Sequence, residues 1–122
     1  KITAGKLSDN LNIDLENGMI HLFTTQETAT STPNIRFSSS VTLNDVMQIG
    51  ESISVTIITT AASGGNVYSE HLTIDGAAVT ENWVGGSAPS DGGTSGVDIH
   101  AYTIIKTASA TFTVIGNQSK TS

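Results

Sequence analysis

Leu11, Ile13 and Leu15 alternate with Asn12, Asp14 and Glu16, the period of two expected of a half-buried strand. Asn17-Gly18 follows, the pair that most readily takes positive φ, so Leu11 to Phe23 predicts a hairpin with a type I′ turn. The polar run Thr24 to Asn34 reads as a loop, which Pro33 closes ahead of a short strand over Ile35 to Phe37. Arg36 falls on the opposite face of that strand from its two apolar neighbours. The period changes at Leu43, Val46 and Met47, which are at helical spacing. Thr42 can cap and Gly50 can stop a helix of one or two turns there, the only helix expected.

Alternation returns over Ile53 to Thr60 with Ile53, Val55 and Ile57 inward, and Ala62 to Asn66 reads as the exit turn. Val67 to Ile74 predicts a strand that pairs back, and Asp75-Gly76 turns the chain again into Ala77 to Trp83. Beyond the loop Glu81 to Asp98, Val97 to Thr107 and Ala110 to Gly116 predict a second hairpin across Thr107 to Ala110. Residues 117–122 read as a loose polar tail. Turn signals roughly every 8 to 12 residues imply an all-β fold, an antiparallel jelly-roll-like β-sandwich of about eight strands with at most one short helix. With 122 residues the chain is expected to form one domain over 1–122. Because it opens at Lys1 without Met, it is expected to be a fragment of a longer chain or a processed product.

Composition narrows the function classes. Ser and Thr exceed a quarter of the residues while charged residues are 13%, so the solvent faces are hydroxyl-rich rather than salt-bridged. A net charge of -6, with five basic residues and no two of them adjacent, opposes nucleic-acid binding, which needs clustered cations to displace counterions. Cysteine is absent, so neither disulfides nor thiolate metal sites help so modest a domain, and oligomerisation becomes the expected source of added stability. No apolar run approaches the roughly 20 residues of a helical span, and no membrane insertion is expected.

The candidate chemistry is thin. The glycines of "GGSAPSDGG" lack the Gly-Lys-Ser/Thr end of a P-loop, and no helical pattern follows to supply a dipole. They read instead as a long ordered loop whose glycines permit tight bends, with Trp83 packed over the end of the sandwich in preference to an exposed Trp83 serving as a stacking platform for a sugar ring. His21, His71 and His100 each fall inside an expected strand, outside any ligand spacing, and read as ordinary, partly exposed strand residues; an intersubunit His cluster is the alternative. Asp14 with Glu16, about 7 Å apart by strand rise, and Asp75 with Glu81 are the nearest approach to a glycosidase pair, but alternating acids on a solvent face are commonplace. Asp91 and Asp98 lack the Asp-x-Asp ladder of a calcium loop, and no serine lies in a nucleophile elbow. No enzymatic activity, no metal and no cofactor is therefore expected. The candidate ligand or interface contacts are Trp83, Tyr68, Ser87, Ser90 and Asp91.

"LNDVMQIGESISVTIITTAASGG", "LTIDGAAVTENWVGGSAPSDGGTSGVDIHAYTIIKTASATFTV" and "IDLENGMIHLFTTQETATSTPNIRF" together resemble a domain that recurs in virion structural proteins of marine tailed bacteriophages, cyanophages above all. There it looks like a C-terminal module on tail-fibre-like or head-decoration proteins. The resemblance runs from about Ile13 to Ile115, and Thr73 to Val114 carries most of its specificity. It implies a non-enzymatic structural module at the virion surface, decorating the capsid or forming part of a fibre. The implied partners are other capsid or tail subunits and further copies of the chain, a trimer being favoured. The competing expectation is a fibre-tip module that binds host surface glycans and serves host attachment.

Overall fold

The computed structural model describes residues 1–122 as two sheets sharing one core, with a single short helix between them. The larger sheet takes β1 (Ile2–Thr3), β3 (Ile20–Gln26), β5 (Ser52–Thr60), β8 (Glu81–Trp83), β9 (Val97–Ala108) and β10 (Thr111–Lys120), in the order β1-β3-β5-β9-β10-β8. The smaller takes β2 (Asn12–Asp14), β4 (Asn34–Arg36), β6 (Thr73–Ile74) and β7 (Ala77–Ala78), in the order β2-β4-β6-β7. A strand-rich, two-sheet domain with one short helix is thus observed, in the manner of a sandwich. The expectation of wholly antiparallel pairing is corrected, because β1-β3, β3-β5, β8-β10, β2-β4 and β4-β6 are all parallel.

Local chemistry explains where the expected elements hold. Thr42 caps α1 (Leu43–Val46) by accepting from the Asp45 amide at 3.1 Å, and Leu43 and Met47 are buried while Val46 faces solvent. Asp75 at φ 51° and Gly76 at φ 81° make the tight turn between β6 and β7. Ser109 and Ala110, the latter at φ 51°, join β9 to β10 as expected. The ladder then runs on past Gly116 to Lys120 paired with Asp98, so four of the six residues expected as a loose tail lie in β10.

Two expected pairings are overturned. Leu11 to Phe23 is not a hairpin: β2 lies in the small sheet and β3 in the large one, and Leu15–Asn17 forms a 3-10 turn between them. Burial of Leu15, together with the Glu16 amide donating to the Phe37 carbonyl at 3.0 Å, carries the chain from one layer to the other. Gly18 there has φ 125° and ψ 166°, a positive-φ conformation open to glycine that is not that of a I′ turn. Val67 to Leu72 forms no strand, and only Thr73–Ile74 pairs, onto β4. The amides of this segment bond elsewhere: Leu72 donates to Glu81 Oε1 at 2.8 Å, and the Tyr68 carbonyl accepts from Ser31 at 3.1 Å.

The register of the large sheet separates its two faces, since directly paired residues project to the same side. Inward rows run Ile53-Ile104-Val114, Val55-Tyr102-Gly116-Trp83, His21-Ile57-His100-Gln118 and Phe23-Thr59-Asp98-Lys120. Ile13, Ile35 and Ile74 of the small sheet close over them, and all three are at most 2% exposed. The outward rows include Ile2-Leu22-Ile58-Ile99-Ser119, Ile20-Thr56-Ala101-Asn117 and Ser54-Thr103-Ile115-Asn82.

Candidate functional site

The inward rows grade from apolar to polar towards the end of the sheet where the Glu81 to Asp98 loop returns. Asp98 is buried, and both its carboxylate oxygens accept from the Gly93 amide, at 2.9 and 3.1 Å. The Gly92 amide donates to the Gly65 carbonyl at 2.9 Å, and Thr94 to the Ser122 carbonyl at 3.2 Å. Gly92 lies so close to the preceding loop that an added Cβ would sit 1.9 Å from the Val67 carbonyl oxygen. The glycine-rich loop is thereby stitched to residues 65–67, to β9 and to the chain end. Gly92 and Gly93 serve close backbone approach there.

A small pocket is lined by Leu7, Glu27, Ser31, Thr59, Tyr68, Ser69 and His100 among others, with room for about one water at most. Glu27 Oε2 accepts from the Leu7 amide at 2.8 Å, while Glu27 Oε1, Ser69 Oγ, His100 Nδ1 and the neighbouring Tyr102 hydroxyl have no protein partner. Burial raises the carboxyl pKa of Glu27 against its backbone hydrogen bonds, and it raises that of Asp98 in the same way. Burial also lowers His100 to about 4 and pushes the Tyr102 phenol up to about 12, so at neutral pH both are uncharged. A hydroxyl, an imidazole and a carboxyl share this pocket, yet no hydrogen bond joins the three. They do not make a nucleophile-base relay, which needs that contact. Glu27 and Ser69 were not singled out from sequence, because both lie in segments that read as a polar loop or an exposed strand.

The histidine expectation is corrected. His21 and His100 are buried at 3% and 1% exposure, whereas His71 is exposed and lies outside any strand, beside Glu70 and Glu81. His21 Nε2 is held at 2.9 Å from the Gly18 carbonyl, and burial lowers its pKa. The expected contact residues do not converge. Trp83 is half-buried on β8: its ring packs against Gly116, where a Cβ would meet it at 2.8 Å, and it meets Tyr102 edge-on with ring centres 6.1 Å apart. Tyr68 lines the small pocket, with its hydroxyl 3.5 Å from Glu70 Oε2. Asp91 is exposed and pairs with Lys120 at 2.7 Å over a wholly polar groove that Gly64, Gly65, Thr94, Thr121 and Ser122 also line. Ser87 and Ser90 are exposed on the loop and line neither space.

Asp14 binds Arg36 through both oxygens, at 2.6 and 3.4 Å, and Asp75 receives the amides of Leu43 and Asn44, at 2.7 and 3.0 Å. Of the four carboxylates considered as acid pairs, Asp14, Asp75 and Glu81, which accepts from the Leu72 amide, are therefore occupied with structural bonds, and Glu16 is exposed. Comparison with protein-family models, curated proteins and solved structures gives no match for this chain.

Proposed function

We propose that the chain is a non-enzymatic structural module on the exterior of a tailed-bacteriophage virion, a capsid decoration or a component of a fibre or other appendage. In this reading it assembles with other virion proteins and with further copies of itself, a trimer being favoured. The observation that carries the proposal is the loop from Glu81 to Asp98, the stretch in which the resemblance to virion proteins is most specific. The amides of Gly92, Gly93 and Thr94, with buried Asp98, fasten it to the frame, as suits a part of a rigid scaffold. Reconstruction of the whole particle tests the proposal. Density for this domain on the outer surface is the expected result, and a position inside the shell or absence from the particle overturns it.

The runner-up is a receptor-binding fibre-tip module that recognises host surface glycans. It draws on the polar groove beside Asp91 and Lys120, whose hydroxyls and backbone suit a sugar. It loses the aromatic platform it first invoked, because Trp83 is engaged with Gly116 and Tyr102. Trp83→Ala is accordingly expected to lower stability by about 2 kcal/mol, as removal of a packed aromatic does. Urea unfolding reads the loss. A stable Trp83→Ala variant with impaired adsorption to host lipopolysaccharide would favour the receptor module.

A further inference from the structure

Sheets with one face in water ordinarily place charge outward and apolar residues inward. The large sheet inverts this. Every charged residue within its strands, Glu81, Asp98, Lys106 and Lys120, belongs to an inward-facing position, and Asp98 and Lys106 are buried. Lys106 is held there by donating to the carbonyls of Asn44 and Met47 at 2.7 and 2.8 Å. The outward rows carry no Asp, Glu, Lys, Arg or His at all; they are Ile, Leu, Val, Ala, Thr, Ser, Asn and Gln. Ile2, Leu22, Ile58 and Ile99 run side by side across four strands, with Ile20 in the next outward row and Ile115 in the row after it. Ile2, Ile20 and Ile115 are 72%, 58% and 39% exposed, and none of these six residues belongs to the core.

We infer that this outward face is where a second copy of the same chain docks, sheet against sheet. Two arguments select that occupant. A strand rise of about 3.3 Å and a spacing of about 4.8 Å give the face of the six strands roughly 700 Å², close to the about 800 Å² that each partner contributes to a standard interface. The second is charge. Each copy carries -6, so two copies repel wherever their carboxylates approach, and this face is the one broad surface that brings none. A basic partner would find nothing on it to pair with. Aligned packing of two such faces at about 10 Å lets the Ile and Thr side chains interdigitate without burying a charge.

The inference extends the oligomer of the proposed structural module by naming its face, and it does not depend on where that module sits on a particle. The test is the mass of the purified full chain in solution, by light scattering and sedimentation at about 50 μM, above the micromolar limit expected of an interface this size. The expected result is a closed dimer, because a face that packs on its own copy is used up by one partner. Ile20→Lys and Ile115→Lys, singly and together, are expected to give monomers with an unchanged circular dichroism spectrum, since both side chains already reach solvent. Ile58→Lys, at the centre of the row, repeats the test where only the interface and not the edge is touched. Ile49→Lys, exposed outside the sheet, is expected to leave the mass unchanged. A wild-type chain that stays monomeric overturns the inference, including one that binds an unrelated protein through this face. So does an oligomer whose mass survives the Ile20→Lys, Ile115→Lys double variant. The particle reconstruction can fail while this mass measurement succeeds, so the two proposals are separable.

Discussion

At the scale of single residues, the two kinds of glycine in the Glu81 to Asp98 loop are constrained by different physics. Gly92 has no left-handed φ but faces the Val67 carbonyl, whereas Gly85, at φ 91°, faces open space. Gly92→Ala is expected to cost about 1–3 kcal/mol, because backbone has to move to admit the methyl. Gly85→Ala is expected to cost about 1 kcal/mol, from its backbone conformation alone. Urea midpoints order the two variants, and equal costs would mean that the 65–67 loop gives way. His100 makes stability depend on pH. Its folded pKa of about 4 lies below the ordinary 6.5, so its contribution is complete above 6.5 and is lost as pH falls towards 4. The loss approaches roughly 3 kcal/mol, at about 1.4 kcal/mol per tenfold change in proton affinity. His21, also lowered, acts in the same direction. Glu27 and Asp98 oppose it, because their raised pKa values mean that the folded state binds their protons more tightly as pH drops. The melting temperature is therefore expected to fall between pH 7 and 4.5, and His100→Gln to remove the larger part of that fall. An unchanged slope in the variant would place the proton uptake elsewhere.

At the scale of elements, one turn does two tasks. Asp75 takes the positive φ that the β6-β7 turn requires, and its carboxylate also receives the first amides of α1. Asp75→Asn keeps a residue tolerant of that φ and one acceptor oxygen, so it is expected to cost under about 1 kcal/mol. Asp75→Ala loses both functions and is expected to cost about 2 kcal/mol. Denaturant unfolding separates the pair, and equal losses would show that the second amide bond, not the turn, decides. This turn was legible in the sequence because both strands it joins are its immediate neighbours. The β9-β10 hairpin, the alternation of β5 and the Thr42 cap were legible for the same reason. Asn17-Gly18 carries the same turn chemistry and was misleading, because burial of Leu15 and the bond from Glu16 to Phe37 lead the chain across to the other sheet. Parallel pairs such as β3-β5 and β4-β6 join segments with no turn between them, so no local pattern announces them. The small pocket was hidden likewise: Glu27 and Ser69 sit in stretches whose polarity reads as solvent exposure.

For the whole molecule, the division of charge between surfaces matters more than its total. The charged side chains are confined to loops, to helical turns, to the small sheet and to inward positions of the large sheet, which leaves one broad face neutral. That arrangement predicts how self-association responds to solution conditions. Apolar surface leaving water lowers the heat capacity, so dilution calorimetry at several temperatures is expected to give a negative heat-capacity change of association. Salt is expected to strengthen association, because it screens the repulsion between two copies of charge -6 and has no interfacial ion pair to weaken. The Debye length shortens from about 30 Å at 0.01 M to about 8 Å at 0.15 M, so most of the gain falls within that range. Association that instead weakens steadily with salt would require ion pairs across the interface. The neutral face has none to offer, so the charged rims or the Asp91-Lys120 groove would then be the surface in contact.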